Sequence, residues 1–301
     1  MLPKKSLGQN FLTNAGIVAS IVDAASLSPN ETVLEIGPGK GVLTEELLKR
    51  GVRVVSVEKD ADLIPLLRTK FEKEILEKRL VLVNKDILQF NFQFSIFNFQ
   101  CDEQSTINNP FNSIQGKQRL TKYKLVANIP YYITGQIIRK FLTADKQPEK
   151  MVLLVQKEVA ERIIARDSKE SLLSISIKAY GEPKYIKTVK AGSFTPAPSV
   201  DSAILLIDNI SRKFFDKGMV AIKNVSDGVT NPVRQEVNEE RFFEILHAGF
   251  AHKRKQLFGN LRAVFDENIL REKMKKAGIS ENIRAEDVSL FGWKKLSDNS
   301  I

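Results

Sequence analysis

The sequence predicts an α/β fold: a doubly wound, mostly parallel sheet followed by a smaller all-α C-terminal domain. Three observations predict it. Short apolar runs alternate with helical patterns over the first two thirds, a glycine-rich turn follows the first core run, and apolar residues recur at helical spacing from Glu239 onward. With 301 residues, 43% of them apolar and 27% charged, the chain can bury a full core and has room for two domains.

The elements follow in order. Ile17 to Leu27 is apolar but carries Asp23 and lacks a basic region directly before it, so it reads as an amphipathic helix and not a signal peptide. Thr32 to Ile36 is the first core strand. Val42 to Lys49 is the helix beyond the glycine turn, and Gly51 stops it. Arg53 to Val57 is a strand, and Asp62 to Leu76 reads as one helix with Pro65 near its start. Leu80 to Val83, Lys124 to Ala127 and Met151 to Val155 are short buried strands. Helical segments follow over Lys157 to Ala165 and around Leu172 to Tyr180. Tyr185 to Val189 and Ala203 to Ile207 then read as a closing strand pair around a Phe-Thr-Pro-Ala-Pro loop.

Asn209 to Asn238 is polar and weakly patterned, which marks a linker and sets the expected division at 1–208 and 209–301. Beyond it, Phe243, Leu246, Phe250, Leu257 and Leu261 form an apolar stripe. One segment breaks the rhythm: Phe90 to Tyr123 is long and rich in Phe, Asn and Gln. Phe90, Phe92 and Phe94 alternate as in an extra hairpin, and an insertion with no fold of its own fits equally well.

Charge and composition exclude several classes. No apolar run reaches the length of a membrane-spanning helix. The single cysteine, Cys101, cannot close an internal disulfide, which fits a reducing, cytoplasmic compartment. Two histidines, His247 and His252, and one cysteine are too few for a zinc site, so no protein-bound metal is expected. A net charge of +10 suits a polyanionic partner as well as it suits a merely basic soluble enzyme.

The glycine turn reads Glu35-Ile36-Gly37-Pro38-Gly39-Lys40-Gly41. A dinucleotide fingerprint needs glycine at its sixth position, where this chain has Val42, so NAD is disfavoured. Glycines at 37, 39 and 41 after an acidic residue fit a loop for S-adenosyl-L-methionine, with Glu35 organising the amino-acid end. Glu58 ends the next strand, about 20 residues beyond the glycines, where a carboxylate can take both ribose hydroxyls. Asp86 closes the strand after that and can accept from an adenine amine, with Ile87 beside the ring. A tight turn without ligand explains the glycines alone; three acids at successive strand ends favour a nucleoside. After the strand Lys124 to Ala127 come Asn128, Ile129, Pro130 and Tyr131. An amide, a stiffened turn and an aromatic ring can grip a planar amino-bearing base, although strands that end at a proline turn are common.

The opening Lys5-Ser-Leu-Gly-Gln9-Asn10-Phe-Leu12, this tetrapeptide and the loop Ser193 to Ser202 together resemble the ribosomal RNA adenine dimethyltransferases. Phe242 to Leu261 and Arg284 to Leu290 are similar to the small-subunit branch of that family, and the Gly-Gln-Asn-Phe-Leu opening looks bacterial. The resemblance implies a Rossmann-like class I methyltransferase sheet with S-adenosyl-L-methionine as cofactor. It implies that Gln9, Asn10 and Leu12 lie against that cofactor, with Asn128 touching both cofactor and target. Phe194 would form a second aromatic wall for the target base. The implied reaction is dimethylation of the N6 amines of two adjacent adenines near the 3′ end of small-subunit (16S) rRNA, in an immature 30S particle, by a monomer. Lys253, Arg254 and Lys255 are expected to fan across the outer side of a helix, as a phosphate contact or as a solvated face. A large-subunit rRNA methyltransferase, a DNA adenine methyltransferase and an assembly factor for which methylation is secondary remain as alternatives. The Phe90 to Tyr123 insertion and the linker depart from the family pattern.

Overall fold

Seven strands hydrogen-bond side by side in the order β4-β3-β2-β5-β6-β9-β7. They are β2 (Thr32–Ile36), β3 (Arg53–Glu58), β4 (Leu80–Asn84), β5 (Lys124–Asn128), β6 (Lys150–Gln156), β7 (Glu182–Val189) and β9 (Ser202–Asp208). This is a computed structural model, and it describes Lys4 and residues 8–90, 122–223 and 230–298. Strands β4 through β6 are parallel, and β9 runs antiparallel to β6 with Met151 opposite Ile207. Both faces of β2 are covered: all five of its residues are buried, as are Leu125, Val126 and Ala127 in β5. That is why these strands read as continuous apolar runs without alternation. The chain leaves β2 toward β3 and β4 on one side and reaches β5 and β6 on the other. The strand order therefore reverses between β2 and β5, the place where open parallel sheets form a ligand crevice.

The helices α1 (Ala15–Ala24) and α2 (Val42–Lys49) bury Ile17, Val18, Ile21 and Val22, and Leu43, Leu47 and Leu48, respectively. The expected single helix from Asp62 to Leu76 is two, α3 (Leu63–Lys70) and α4 (Glu72–Leu76). They part at Phe71, whose backbone leaves helical geometry at φ −117° and whose ring is buried. Gly41 explains this break. It lies at φ +76°, and a Cβ there would meet the Phe71 ring at 2.5 Å. The short two-stranded sheet β1 (Phe11–Leu12) with β8 (Phe194–Thr195) pairs Leu12 with Phe194.

Chain contacts divide the molecule into Met1–Ala160 with Lys184–Ile210, and Glu161–Pro183 with Ser211–Ile301. The division differs from the one expected at residue 208. Residues 161–183 group with the C-terminal segment because Tyr180 packs on Phe215 and Phe243, at 5.4 and 5.9 Å between centroids, and its carbonyl accepts from Ser211 N–H. The expected linker also differs. It contains an antiparallel ribbon, β10 (Asp216–Lys223) with β11 (Thr230–Glu236), in which Ala221 faces Pro232. A proline fits there because these strands pair only with each other. The rest of this unit is helical, as expected. No helix among the described residues is long and apolar enough to cross a membrane. Most of the Phe90 to Tyr123 insertion, with Cys101, and residues 5–7 of the opening motif lie outside the described residues.

Candidate active site

A cleft of about 260 Å³ opens at the C-terminal ends of β2, β3, β4 and β5. Each strand supplies its last residues to the wall: Ile36 and Gly37, then Val57 and Glu58, then Asp86 and Ile87, then Asn128 through Tyr131. The N-terminal segment closes it with Gly8, Gln9, Asn10 and Phe11. Apolar side chains suit a planar base, and the two carboxylates suit hydroxyl and amine donors.

Glu58 is 6% exposed. Its Oε2 accepts from the Gly39 N–H at 3.1 Å and its Oε1 from the Asp60 N–H at 2.8 Å, so one carboxylate fixes both the glycine loop and the following turn. Burial raises its pKa above the ordinary carboxylate range against these two bonds. Asp86 accepts from Lys59 at 2.9 Å and from the Leu88 N–H at 2.9 Å; the Lys59 bond, foremost, lowers its pKa. Asn128 donates through Nδ2 to the Asn10 carbonyl at 3.3 Å. That bond aims the amide, and among the described residues no donor meets its Oδ1. Ile129 is buried, and Tyr131 is half-buried with its hydroxyl 2.6 Å from Ser202 Oγ.

The wall contains Gln9, Asn10, Gly37, Glu58, Asp86, Ile87, Asn128, Ile129, Pro130 and Tyr131, as the sequence led us to expect. Five expected residues are not in it, each for a reason of packing. Glu35 lies within β2, fully buried, and its Oε2 accepts from Thr44 at 2.7 Å and from Ser56. Gly39 and Gly41 supply their left-handed turns to the loop and close contacts to Phe11 and Phe71. Leu12 faces away because neighbours on a strand point to opposite sides, so Phe11 takes the place expected for it. Phe194, paired to Leu12, is 4% exposed in the hydrophobic core and forms no aromatic wall of the cleft. Sequence reading missed Phe11, Lys59, Lys85 and Tyr132, which also line the cleft. An aromatic residue next to the Gln9-Asn10 pair was the signal for the first, and strand alternation would have shown which neighbour turns inward.

In the C-terminal unit, Lys253, Arg254 and Lys255 are not on a helix. Helix α8 (Glu239–Gly249) ends before them, α9 (Leu257–Leu261) begins after them, and all three are exposed in the turn between. Two contacts enforce the break. Gly249 abuts Trp293, where a Cβ would lie 2.3 Å from the indole, and Asn260 Nδ2 donates to the carbonyls of Gly249 and His252 at 2.7 and 3.2 Å. His247 and His252 are exposed.

The sequence profile of the family described as ribosomal RNA adenine dimethylase matches residues 2–221. The chain belongs to this family. Among relatives of this dimethylase, a protein named ribosomal RNA small subunit methyltransferase A from Dehalococcoides mccartyi is 38% identical, covering 97% of this chain and 87% of that one. One of the same name from Fusobacterium nucleatum is 34% identical, covering 97% and 96%. Two solved structures share its fold. A dimethyladenosine transferase from Plasmodium falciparum superposes with a TM-score of 0.68 at 21% identity, covering 95% of each chain. The 23S rRNA methyltransferase ErmE superposes at 0.65 and 24%, covering 96% and 98%.

One buried group of the dimethylase makes its stability depend on pH. Burial pushes the Glu35 carboxyl up to about 7 from 4.5, reinforced by the Glu58 charge and opposed by Ser56, Thr44 and Lys70. Between these values the folded chain holds a proton that the unfolded chain has released. Stability therefore falls as pH rises through this window, by up to about 1.4 kcal/mol per unit. Glu35→Gln is expected to remove that slope. Urea midpoints at pH 5 and pH 7 measure it, and an identical slope in both proteins would contradict the assignment.

Proposed function

We propose that this chain transfers methyl groups from S-adenosyl-L-methionine to the N6 amines of two adjacent adenines near the 3′ end of small-subunit rRNA, acting as a cytoplasmic monomer on an immature 30S particle. The observation that carries the reading is Asn128, which ends β5 with its Nδ2 tied to Asn10 and its Oδ1 unpartnered beside the acid-lined cleft. The relatives named for small-subunit RNA, matched over nearly the whole chain, support the target.

The cofactor's residues are Glu58 for ribose, Asp86 and Ile87 for adenine, and Gly37 with Asn10 on the adjoining wall. When bound, S-adenosyl-L-methionine supplies the methyl group and leaves as a neutral thioether. Asn128 Oδ1 and the Ile129 carbonyl accept the two protons of the target amine and draw its nitrogen out of conjugation with the ring. Pro130 fixes the backbone that presents that carbonyl. Tyr131, its hydroxyl held by Ser202, offers a ring face to the extruded base. The protein needs no strong base, because the alkylated amine is acidic and yields its proton to water. Catalysis rests mainly on positioning.

Lys253, Arg254 and Lys255 form the phosphate-binding turn. None of them has an acidic partner among the described residues, so their charge is available. Neutralising all three is expected to lower RNA affinity and reduce the slope of log K against log salt by about 2–3. Filter binding between low and moderate salt reads this directly; an unchanged slope removes the turn from the interface.

The direct test is transfer of labelled methyl from the cofactor to unmethylated small subunits, with products mapped by mass spectrometry and reverse transcription. Dimethylation of two adjacent 3′-terminal adenines is expected. Cofactor binding without incorporation at that site would overturn the assignment.

A further inference from the structure

We infer that Tyr132 is a second base-stacking platform, which holds the nucleotide next to the adenine in the cleft. The inference rests on the proposed adenine methylation and extends it to the neighbouring base. Tyr131 and Tyr132 follow one another in a single 3-10 turn and both line the cleft, but their surroundings differ. Tyr131 is half-buried and tied by its hydroxyl. Tyr132 is 62% exposed, far above an ordinary core aromatic, and among the described residues no hydrogen bond holds its hydroxyl. Single exposed apolar residues are common on protein surfaces and need no function. Three features separate this one from them.

Its ring is backed on one side only. Gly8, at φ +62°, lies against it, and a Cβ there would stand 3.2 Å from Tyr132 Cε1. A backbone without a side chain supports the ring there and leaves the rest of it open. Lys59 and Lys85 line the same cleft, and the Lys85 ammonium has no acidic partner among the described residues. An open aromatic with cations nearby matches how single-stranded RNA is held, by stacking on rings with its backbone near positive charge. The reaction also needs such a group. Extruding one of two adjacent adenines strips its neighbour of a stacking partner, and an exposed ring beside the cleft replaces it.

The test uses the full chain with unmethylated small subunits. Tyr132→Ala and Tyr132→Leu are expected to raise KM for the subunits by about 5- to 100-fold, the range for one lost base stack. Tyr132→Phe should restore most of that affinity, since it keeps the ring. The affinity for S-adenosyl-L-methionine, measured without RNA, should not move. Subunits carrying uracil in place of the neighbouring adenine should be poorer substrates for the unaltered chain but not further impaired by Tyr132→Ala. An unchanged KM in the alanine and leucine variants overturns the inference. So does a loss that appears equally in cofactor affinity, which would make Tyr132 part of the cofactor site. If the unaltered chain fails to methylate adenine in the same assay, the failure belongs to the proposed function and not to Tyr132.

Discussion

Asn128→Ala is expected to slow methyl transfer by about 10²–10³-fold, the scale on which one positioned hydrogen-bonding group acts at a reacting centre. The effect should lie in kcat. The side chain accepts from the target amine only once the base is in place, so the loss falls on positioning and not on docking of the RNA. Cofactor affinity should change far less, because the carboxylates of Glu58 and Asp86 remain. The substitution also removes the Nδ2 bond to the Asn10 carbonyl, which is partly exposed and can turn to water. Single-turnover methylation with saturating cofactor, alongside calorimetric titration of the cofactor, separates these quantities. A rate within about tenfold of the unaltered protein, near 1.4 kcal/mol in barrier height, would remove Asn128 from the chemistry.

Glu58→Ala should act on the other half of the site. Hydrogen bonds from a charged acceptor contribute about 1.5–3 kcal/mol each, so losing the ribose contacts should weaken the cofactor by roughly 30- to 1000-fold. The same change strips the Gly39 and Asp60 N–H groups of their acceptor and loosens the glycine loop. RNA affinity, carried by the exposed turn at Lys253 to Lys255, should hold. Titration of the cofactor and filter binding of RNA test the two arms. Equal loss in both would show that Glu58 sustains the fold and not the ribose site. Glu58→Gln, which retains one acceptor oxygen, should lose less.

The sequence by itself determined the parallel sheet, the place of the cleft and most of its wall. Buried parallel strands need continuous apolar runs, and a nucleoside crevice needs glycines and acids at strand ends. Both are local demands that leave a local record in Glu58, Asp86 and Asn128. Tertiary structure alone decided the rest. Glu35 belongs to the same acidic series in sequence, yet Thr44 and Ser56 hold it inside the sheet. Phe194 carries a family motif, yet its pairing with Leu12 buries it in the core. The helix expected across Lys253 to Lys255 ends at Gly249 because Trp293, 44 positions along the chain, fills the space beside it. Sequence spacing fixes which residues can share a strand or a helix face. Which of them then meets the ligand depends on packing partners distant in the chain, and periodicity carries no record of those.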